Sequence, residues 1–207
     1  IHPFLDGRDT LPNIALNFLD DLESKLKNEK IGVISGRYYA MDRDNNWDRI
    51  KKVYDALVYG IGYKSNYKDS ILKCYDNNIF DEFIVPTIVN SKQIENNDGM
   101  ILFNFRPDRA RELFTALTNK NFNEFETKKF TNLKLVTMMP VADTVICTNA
   151  YKHENLVNTL GEYIDNLNLK QLRIAETEKY AHVTYFFDGG IERNLKKSKR
   201  ILIPSPS

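Results

Sequence analysis

Met100-Ile101-Leu102-Phe103-Asn104-Phe105-Arg106-Pro107-Asp108-Arg109-Ala110-Arg111-Glu112-Leu113-Phe114-Thr115-Ala116-Leu117 passes from a mostly apolar run through a charged knot into a segment of helical period. The apolar run reads as a buried strand, and Arg106-Pro107 stops it, because proline has no ladder donor and restrains the residue before it. From Asp108 to Leu117, the spacing of Ala110, Leu113, Phe114 and Leu117 predicts a helix with one inward face. Strand, polar turn and helix in this order are the repeating unit of an α/β layer.

The same alternation extends in both directions. Ile1 to Leu5 reads as the end of a strand, and Thr10 can cap a helix over Leu11 to Lys27, with Pro12 in its first turn. Ile31 to Ser35 is a short buried strand. Asp44 can cap a second helix through Trp47, Ile50, Val53, Tyr54, Leu57 and Ile61, ended by Gly60-Ile61-Gly62. A third helix is predicted over Tyr67 to Tyr75, and Phe83 to Val89 is strand-like, with Pro86 marking an edge or bulge. Toward the carboxyl end, Leu133 to Met138 is strand-like and His153 to Leu167 helical. Gln171 to Ala175 and Tyr180 to Phe187 are strand-like, and Asp188-Gly189-Gly190 is a turn. The expected fold is α/β, a layered domain with a largely parallel or mixed sheet flanked by helices. Apolar periodicity lapses over Pro140 to Glu154, the best place for a domain boundary.

Composition narrows the function. Among 207 residues, 29 Lys and Arg face 28 Asp and Glu, and the net charge of +1 argues against a globally basic nucleic-acid binder while leaving local anion sites open. No apolar run approaches the roughly 20 residues of a membrane span, and neither secretion nor membrane insertion is expected. Cys74 and Cys147 have no CxxC or Cys/His spacing and read as reduced thiols of a cytoplasmic protein. Both ends look cut, so the chain is expected to be part of a longer polypeptide.

In open α/β sheets, ligands collect beyond the carboxyl ends of strands. Arginines recur there: Arg8 beside Asp9, then Arg37 and Arg43, then Arg106 and Arg109. Planar, permanently charged guanidinium groups on one rim suit a substrate with more than one anionic group. The alternative is loop salt bridges with Asp6, Asp9, Asp42, Asp44 and Asp108. Asp9, between Arg8 and an expected helix start, should stay ionised and able to accept a proton; otherwise it is a cap or turn residue. Lys179, between two strand-like runs, either meets phosphate or balances Glu176 and Glu178. His182, alternating with Tyr180 and Thr184, reads better as a core histidine. No HExxH, Walker A, GxGxxG, EF-hand or GxSxG pattern is present.

Four motifs carry a resemblance: Phe4-Leu5-Asp6-Gly7-Arg8-Asp9-Thr10; Ser35-Gly36-Arg37-Tyr38-Tyr39-Ala40-Met41-Asp42-Arg43-Asp44 with Trp47-Asp48-Arg49; Phe103-Asn104-Phe105-Arg106-Pro107-Asp108-Arg109; and Arg173-Ile174-Ala175-Glu176-Thr177-Glu178-Lys179-Tyr180-Ala181-His182-Val183-Thr184. In this order they closely resemble the cofactor-independent phosphoglycerate mutases. Leu11, where that family commonly has proline, is a small departure.

The resemblance implies interconversion of 3-phosphoglycerate and 2-phosphoglycerate through a phosphoserine, with two divalent metals, usually manganese. It implies an inserted phosphotransferase domain over residues 1–150, incomplete at its amino end. Residues 151–207 would be a strand-helix-strand piece of the return into an alkaline-phosphatase-like domain. Under it Arg8 and Asp9 contact the glycerate, Asp9 exchanging protons with its hydroxyls. Arg37 and Arg43 clamp the carboxylate and hydroxyls, Arg106 and Arg109 bind phosphate, and Lys179 sits near the transferred phosphoryl group. The serine and the metal ligands have no matching positions, so this chain is expected to bind no metal and to be inactive alone. Its expected partners are the small-molecule substrate and the rest of the phosphatase-like domain, with no nucleic acid and no membrane. A non-catalytic α/β module that binds phosphorylated small acids is the competing reading, and a structural domain is the third.

Overall fold

Val33-Ile34-Ser35-Gly36 forms strand β2, buried at all four positions, and its side chains divide two cores between the faces of a sheet. Val33 faces a cluster with Ile50, Val53, Tyr54 and Leu57 of helix α3 (Trp47–Val58) and with Leu113 and Phe114 of α5 (Arg111–Thr118). Ile34 faces Ala15 and Leu19 of α1 (Ala15–Lys25), and Tyr67 and Ile71 of α4 (Tyr67–Asp76). Period-two alternation thus puts helices on both faces. Full burial of side chains such as Ile34, Ile50 and Ile71 stabilises this arrangement by roughly 1.5–3 kcal/mol each.

The structure, a computed structural model, describes residues 1–90, 92–152 and 155–206. The chain divides into two units, Ile1–Lys152 and His153–Ser207. In the first, β1 (Phe4–Leu5), β2, β4 (Thr87–Ile88) and β3 (Tyr63–Lys64) make a mixed sheet of order β1-β2-β4-β3, in which only the β2–β4 pair is antiparallel. Strands β5 (Gly99–Leu102), β6 (Lys134–Thr137) and β7 (Thr148–Asn149) make a parallel sheet. The short α2 (Arg37–Ala40) follows β2 directly. The second unit has α6 (Leu160–Asn166), then β8 (Gln171–Glu176) paired in parallel with β9 (Ser198–Ile203), with α7 (Thr177–Ala181) between them. Its buried centre is Arg173, whose Nη1 donates to Asp188 Oδ2 at 2.6 Å.

The α/β expectation is borne out, and four local readings are corrected. Tyr180 to Phe187 is helical: α7 continues into a π-helical turn over His182–Phe186, leaving His182 exposed against the Phe186 ring rather than in a core. Apolar and aromatic residues in so short a run fit either period. Phe83 to Val89 contributes only β4, preceded by a 3₁₀ turn over Asp81–Phe83. Helix α3 begins after Asn46, with Asp44 outside it. The predicted His153–Leu167 helix is confined to α6, capped by Thr159 and Glu162, while His153 and Glu154 lie outside the described residues.

Thr10 does not cap the first helix either. The amides of Ile14 and Ala15 both donate to Asp81 Oδ2 at 2.9 Å, and the Tyr75 hydroxyl donates to Oδ1. A buried carboxylate from distant sequence therefore satisfies the helix start. Asp81→Ala strands two amides and a phenol at once and is expected to lower the unfolding free energy by about 2–4 kcal/mol in a denaturant titration. A loss no larger than that of an exposed aspartate such as Asp69 would remove the cap from the account.

Candidate anion-binding site

Three strand ends build the site. β1 runs out into Asp6-Gly7-Arg8-Asp9, β2 into Gly36-Arg37, and β5 into Asn104-Phe105-Arg106. Gly7 has φ +70°, and a Cβ there would press on the Asp81–Glu82 backbone. At Gly36 a Cβ would collide with the carbonyls of Asp81 and Glu82, because the Gly36 amide donates to the Ile84 carbonyl at 2.8 Å. Both glycines let their loops close on the same 3₁₀ turn, which sets the loops side by side.

Arg37 is the anchor. Its side chain is 9% exposed, and its Nη1 donates to Asp6 and, at 2.9 Å, to Asp9 Oδ2. Burial opposes the Arg37 charge, but the hydrogen bonds it donates to Asp9 and Asp6 prevail and raise its pKa. Asp9 itself is open to solvent. The hydrogen bond and charge of Arg37, helped by Arg106 and Arg109, hold its carboxyl below the usual carboxylate range. At neutral pH it is a carboxylate able to receive a proton.

A cavity of about 370 Å³ opens over this pair, lined by Asp6, Asp9, Arg37, Asn104, Arg106 and Arg109, with His2, Pro3, Phe4 and Met41. Three guanidinium groups face two carboxylates there. Arg109 carries the excess: its Nη1 donates to the Met41 carbonyl at 2.9 Å, and its buried Nε has no partner. Burial, then the charges of Arg37 and Arg43, press its pKa down. A half-buried cation crowded by like charges and short of acceptors is relieved by an anion.

Arg106 is half exposed and forks onto Asp108, its Nε to Oδ1 at 2.7 Å and its Nη2 to Oδ2 at 3.0 Å. Arg43 Nη1 reaches Asp108 Oδ2 at 3.3 Å. Burial works against the Asp108 charge, but the two arginines lower its pKa nonetheless. Asp42 fixes the loop that carries Arg43, accepting from the Asp44 and Asn46 amides at 3.0 and 2.9 Å and from Arg49 at 3.0 Å. Glu112 braces it from α5, accepting from the Asn45 amide at 3.1 Å, and its burial pushes its carboxyl up.

The structure thus brings Asp9, Arg37, Arg106 and Arg109 onto one cavity and ties Arg43 to it through Asp108. Arg8 is turned elsewhere, exposed and 3.7 Å from Glu82. Lys179 lies exposed on α7 in the second unit. Of the salt bridges weighed as the alternative, those of Arg37 with Asp6 and Asp9 lie inside the same cleft as the unsatisfied arginine, while Arg43 and Arg106 pair with Asp108 and Asp42 pairs with Arg49. Asn104 was missed as a site residue, although its place after β5 is the signal that singled out the arginines. Among the described residues, no three His, Cys, Asp or Glu side chains gather to hold a metal, and no helix is long and apolar enough to cross a membrane.

Comparison with known proteins gives a consistent picture. Residues 1–143 match the family model for the BPG-independent PGAM N-terminus. The chain is 47% identical over 216 aligned positions to the 2,3-bisphosphoglycerate-independent phosphoglycerate mutase of Clostridium tetani and 48% identical to that of Clostridium kluyveri. All of the chain is covered in both cases, and 42% of each relative, so it spans less than half their length. A chain from the crystal structures of Leishmania mexicana phosphoglycerate mutase at low cobalt concentration superposes with a TM-score of 0.76 at 26% identity, over 99% of this chain and 41% of that one.

Proposed function

The chain belongs to the BPG-independent phosphoglycerate mutase family, and from that premise we propose that it is the glycerate-holding part of an enzyme interconverting 3-phosphoglycerate and 2-phosphoglycerate through a phosphoserine. The observation that carries this reading is the cavity in which Arg37, Arg106 and Arg109 outnumber Asp6 and Asp9. A phosphoglycerate has a carboxylate and a phosphate, two anionic groups for a rim with an arginine in surplus. In this reading residues 1–150 are the phosphotransferase domain, and 151–207 begin the return into a phosphatase-like domain. The enzyme is placed in the cytoplasm, in keeping with free thiols at Cys74 and Cys147.

Arg37, fixed by two carboxylates, positions the glycerate carboxylate. Arg109 completes its missing hydrogen bond on the ligand, and Arg106, half exposed at the rim, binds the phosphate. Arg43 supports Arg106 through Asp108, and Arg8 contributes charge at the edge. In the second transfer Asp9 accepts the proton of the glycerate hydroxyl that attacks the phosphoserine, a new oxygen–phosphorus bond replaces the serine one, and the proton passes to the serine oxygen released, so holding the glycerate between the two transfers is the work of this domain. Lys179 is assigned the offsetting of charge on the transferred phosphoryl group. The divalent metals, manganese by preference, are assigned to the part of the polypeptide outside these residues. They would activate the serine and neutralise phosphoryl charge.

Calorimetry on the full-length polypeptide separates the arginine roles. Arg106→Ala is expected to weaken 3-phosphoglycerate by roughly 1.5–3 kcal/mol and leave glycerate unchanged. Arg37→Ala is expected to weaken both alike. Equal losses for the two ligands in Arg106→Ala would overturn the assignment of Arg106 to phosphate.

A further inference from the structure

Two buried carboxyl groups meet beneath the arginine rim. The side chains of Asp42 and Glu112 are 2% and 1% exposed. Both hold the loop that follows α2: Asp42 Oδ2 accepts from the Asp44 and Asn46 amides at 3.0 and 2.9 Å, and Glu112 Oε1 takes the Asn45 amide between them at 3.1 Å. Held by three successive amides of one loop, the two carboxyls lie within a hydrogen bond of each other.

Donors are divided unequally between them. Asp42 receives four N–H groups, the two amides together with the Asn46 side chain and Arg49 Nη1, each of these at 3.0 Å. Burial opposes its charge, but the hydrogen bonds of Asn46 and Asp44 prevail, and Asp42 is the ionised member. Glu112 Oε1 accepts from Asn45 and from Arg111 Nη2 at 3.2 Å, while Oε2 is buried with no donor. An ionised Glu112 would bury that bare oxygen against a carboxylate. One proton on Oε2 removes both costs, because the O–H then donates to Asp42. Burial, with Asp42 beside it, accordingly raises the Glu112 pKa. The other charged groups on the two carboxyls are Arg111 on Glu112's own helix and Arg49 on α3; Arg43 and Asp108 pair with each other at 3.3 Å.

This contact lies where two arginine-bearing segments cross. Residues 41–46 carry Arg43, and residues 106–112 carry Arg106 and Arg109. Arg109 donates to the Met41 carbonyl at 2.9 Å, Arg111 to the Arg43 carbonyl at 3.3 Å, and Arg43 to Asp108, so the same two segments are tied on either side of the carboxyls. We propose that Glu112 carries a proton and donates it in a hydrogen bond to Asp42, and that this clasp holds the Arg43 loop against the segment of Arg106 and Arg109, so that anion binding weakens when the proton leaves. Glu112 is then a positioning residue. Its proton rests on the geometry of the two carboxyls alone; its effect on binding rests also on the ligand reading above. Ionisation sets two buried negative charges against each other at the crossing. A raised pKa favours the protonated form, so the clasp is whole at low pH and is lost as pH rises through that pKa.

Carbon NMR and calorimetry on the full-length polypeptide test the two parts. With glutamate labelled at its side-chain carboxyl, the Glu112 resonance, identified by its loss in Glu112→Gln, is expected to titrate above the ordinary glutamate value of about 4.3. Titration at or below that value would overturn the shared proton. Glu112→Gln is itself a permanent copy of the protonated side chain, its amide N–H replacing the O–H on Asp42. Titrating 3-phosphoglycerate into both proteins from about pH 5 to about pH 9 and taking the ratio of affinities cancels the ligand's own phosphate ionisation, at about pH 6. The wild type is expected to weaken about 10-fold or more relative to Glu112→Gln as pH rises through the Glu112 transition. A ratio that stays constant across that transition would overturn the clasp. No binding of 3-phosphoglycerate to either protein at any pH would reject the ligand reading instead, while the Glu112 resonance still decides the proton.

Discussion

Turnover by the full-length polypeptide is expected to fall by about 10²-fold or more in Asp9→Asn, with KM for 3-phosphoglycerate changed by less than threefold. The substitution is nearly isosteric, and its amide oxygen still accepts from Arg37, which donates to Asp9 at 2.9 Å. What it removes is the capacity to take up a proton, so the loss belongs in kcat. Asp9 suits the test because it is exposed and touches no core residue through its side chain. Arg37 keeps its carboxyl below the ordinary range, so the wild-type group stays ionised from neutral pH downward until that lowered pKa is reached. Wild-type kcat in Asp9→Asn would reduce Asp9 to a partner of Arg37.

Arg37→Ala is expected to weaken phosphoglycerate binding by about 10²-fold, equivalent to about 2.8 kcal/mol at 1.4 kcal/mol per tenfold. One lost charged hydrogen-bonding group accounts for roughly 1.5–3 kcal/mol, and a second effect acts in the same direction. Asp6 and Asp9 both lose their guanidinium partner, so two uncompensated carboxylates then face an anionic ligand across the cavity. Arg37→Lys is expected to fall between the two, since it returns the charge without the planar guanidinium whose Nη1 serves both carboxylates. Titration calorimetry reads the affinities, and circular dichroism checks that the fold is kept. Unchanged affinity in a folded Arg37→Ala protein would move the ligand out of this cleft.

Neighbouring residues were enough to establish the elements whose signals are local. Apolar period 3.6 located α3 and α5, short apolar runs located β2, β5 and β6, and arginines just after strands marked the rim. These features belong to a single face or a single turn, and sequence order preserves them. Which arginine serves the site depends on groups far apart in sequence. Arg8 and Arg37 both follow a strand, but Arg8 leans to Glu82, while Arg37 is drawn under Asp6 and Asp9 by a glycine seated on the 3₁₀ turn. The start of α1 was hidden for the same reason, since Asp81 satisfies amides 66 and 67 residues away and displaces Thr10 as the cap. The segment around Lys179 shows the limit of a short alternation: it is wound as α7 and a π-helical turn between β8 and β9, which pair with each other. Tertiary structure decided these points because a buried carboxylate or a close glycine contact gains its energy only when distant segments meet.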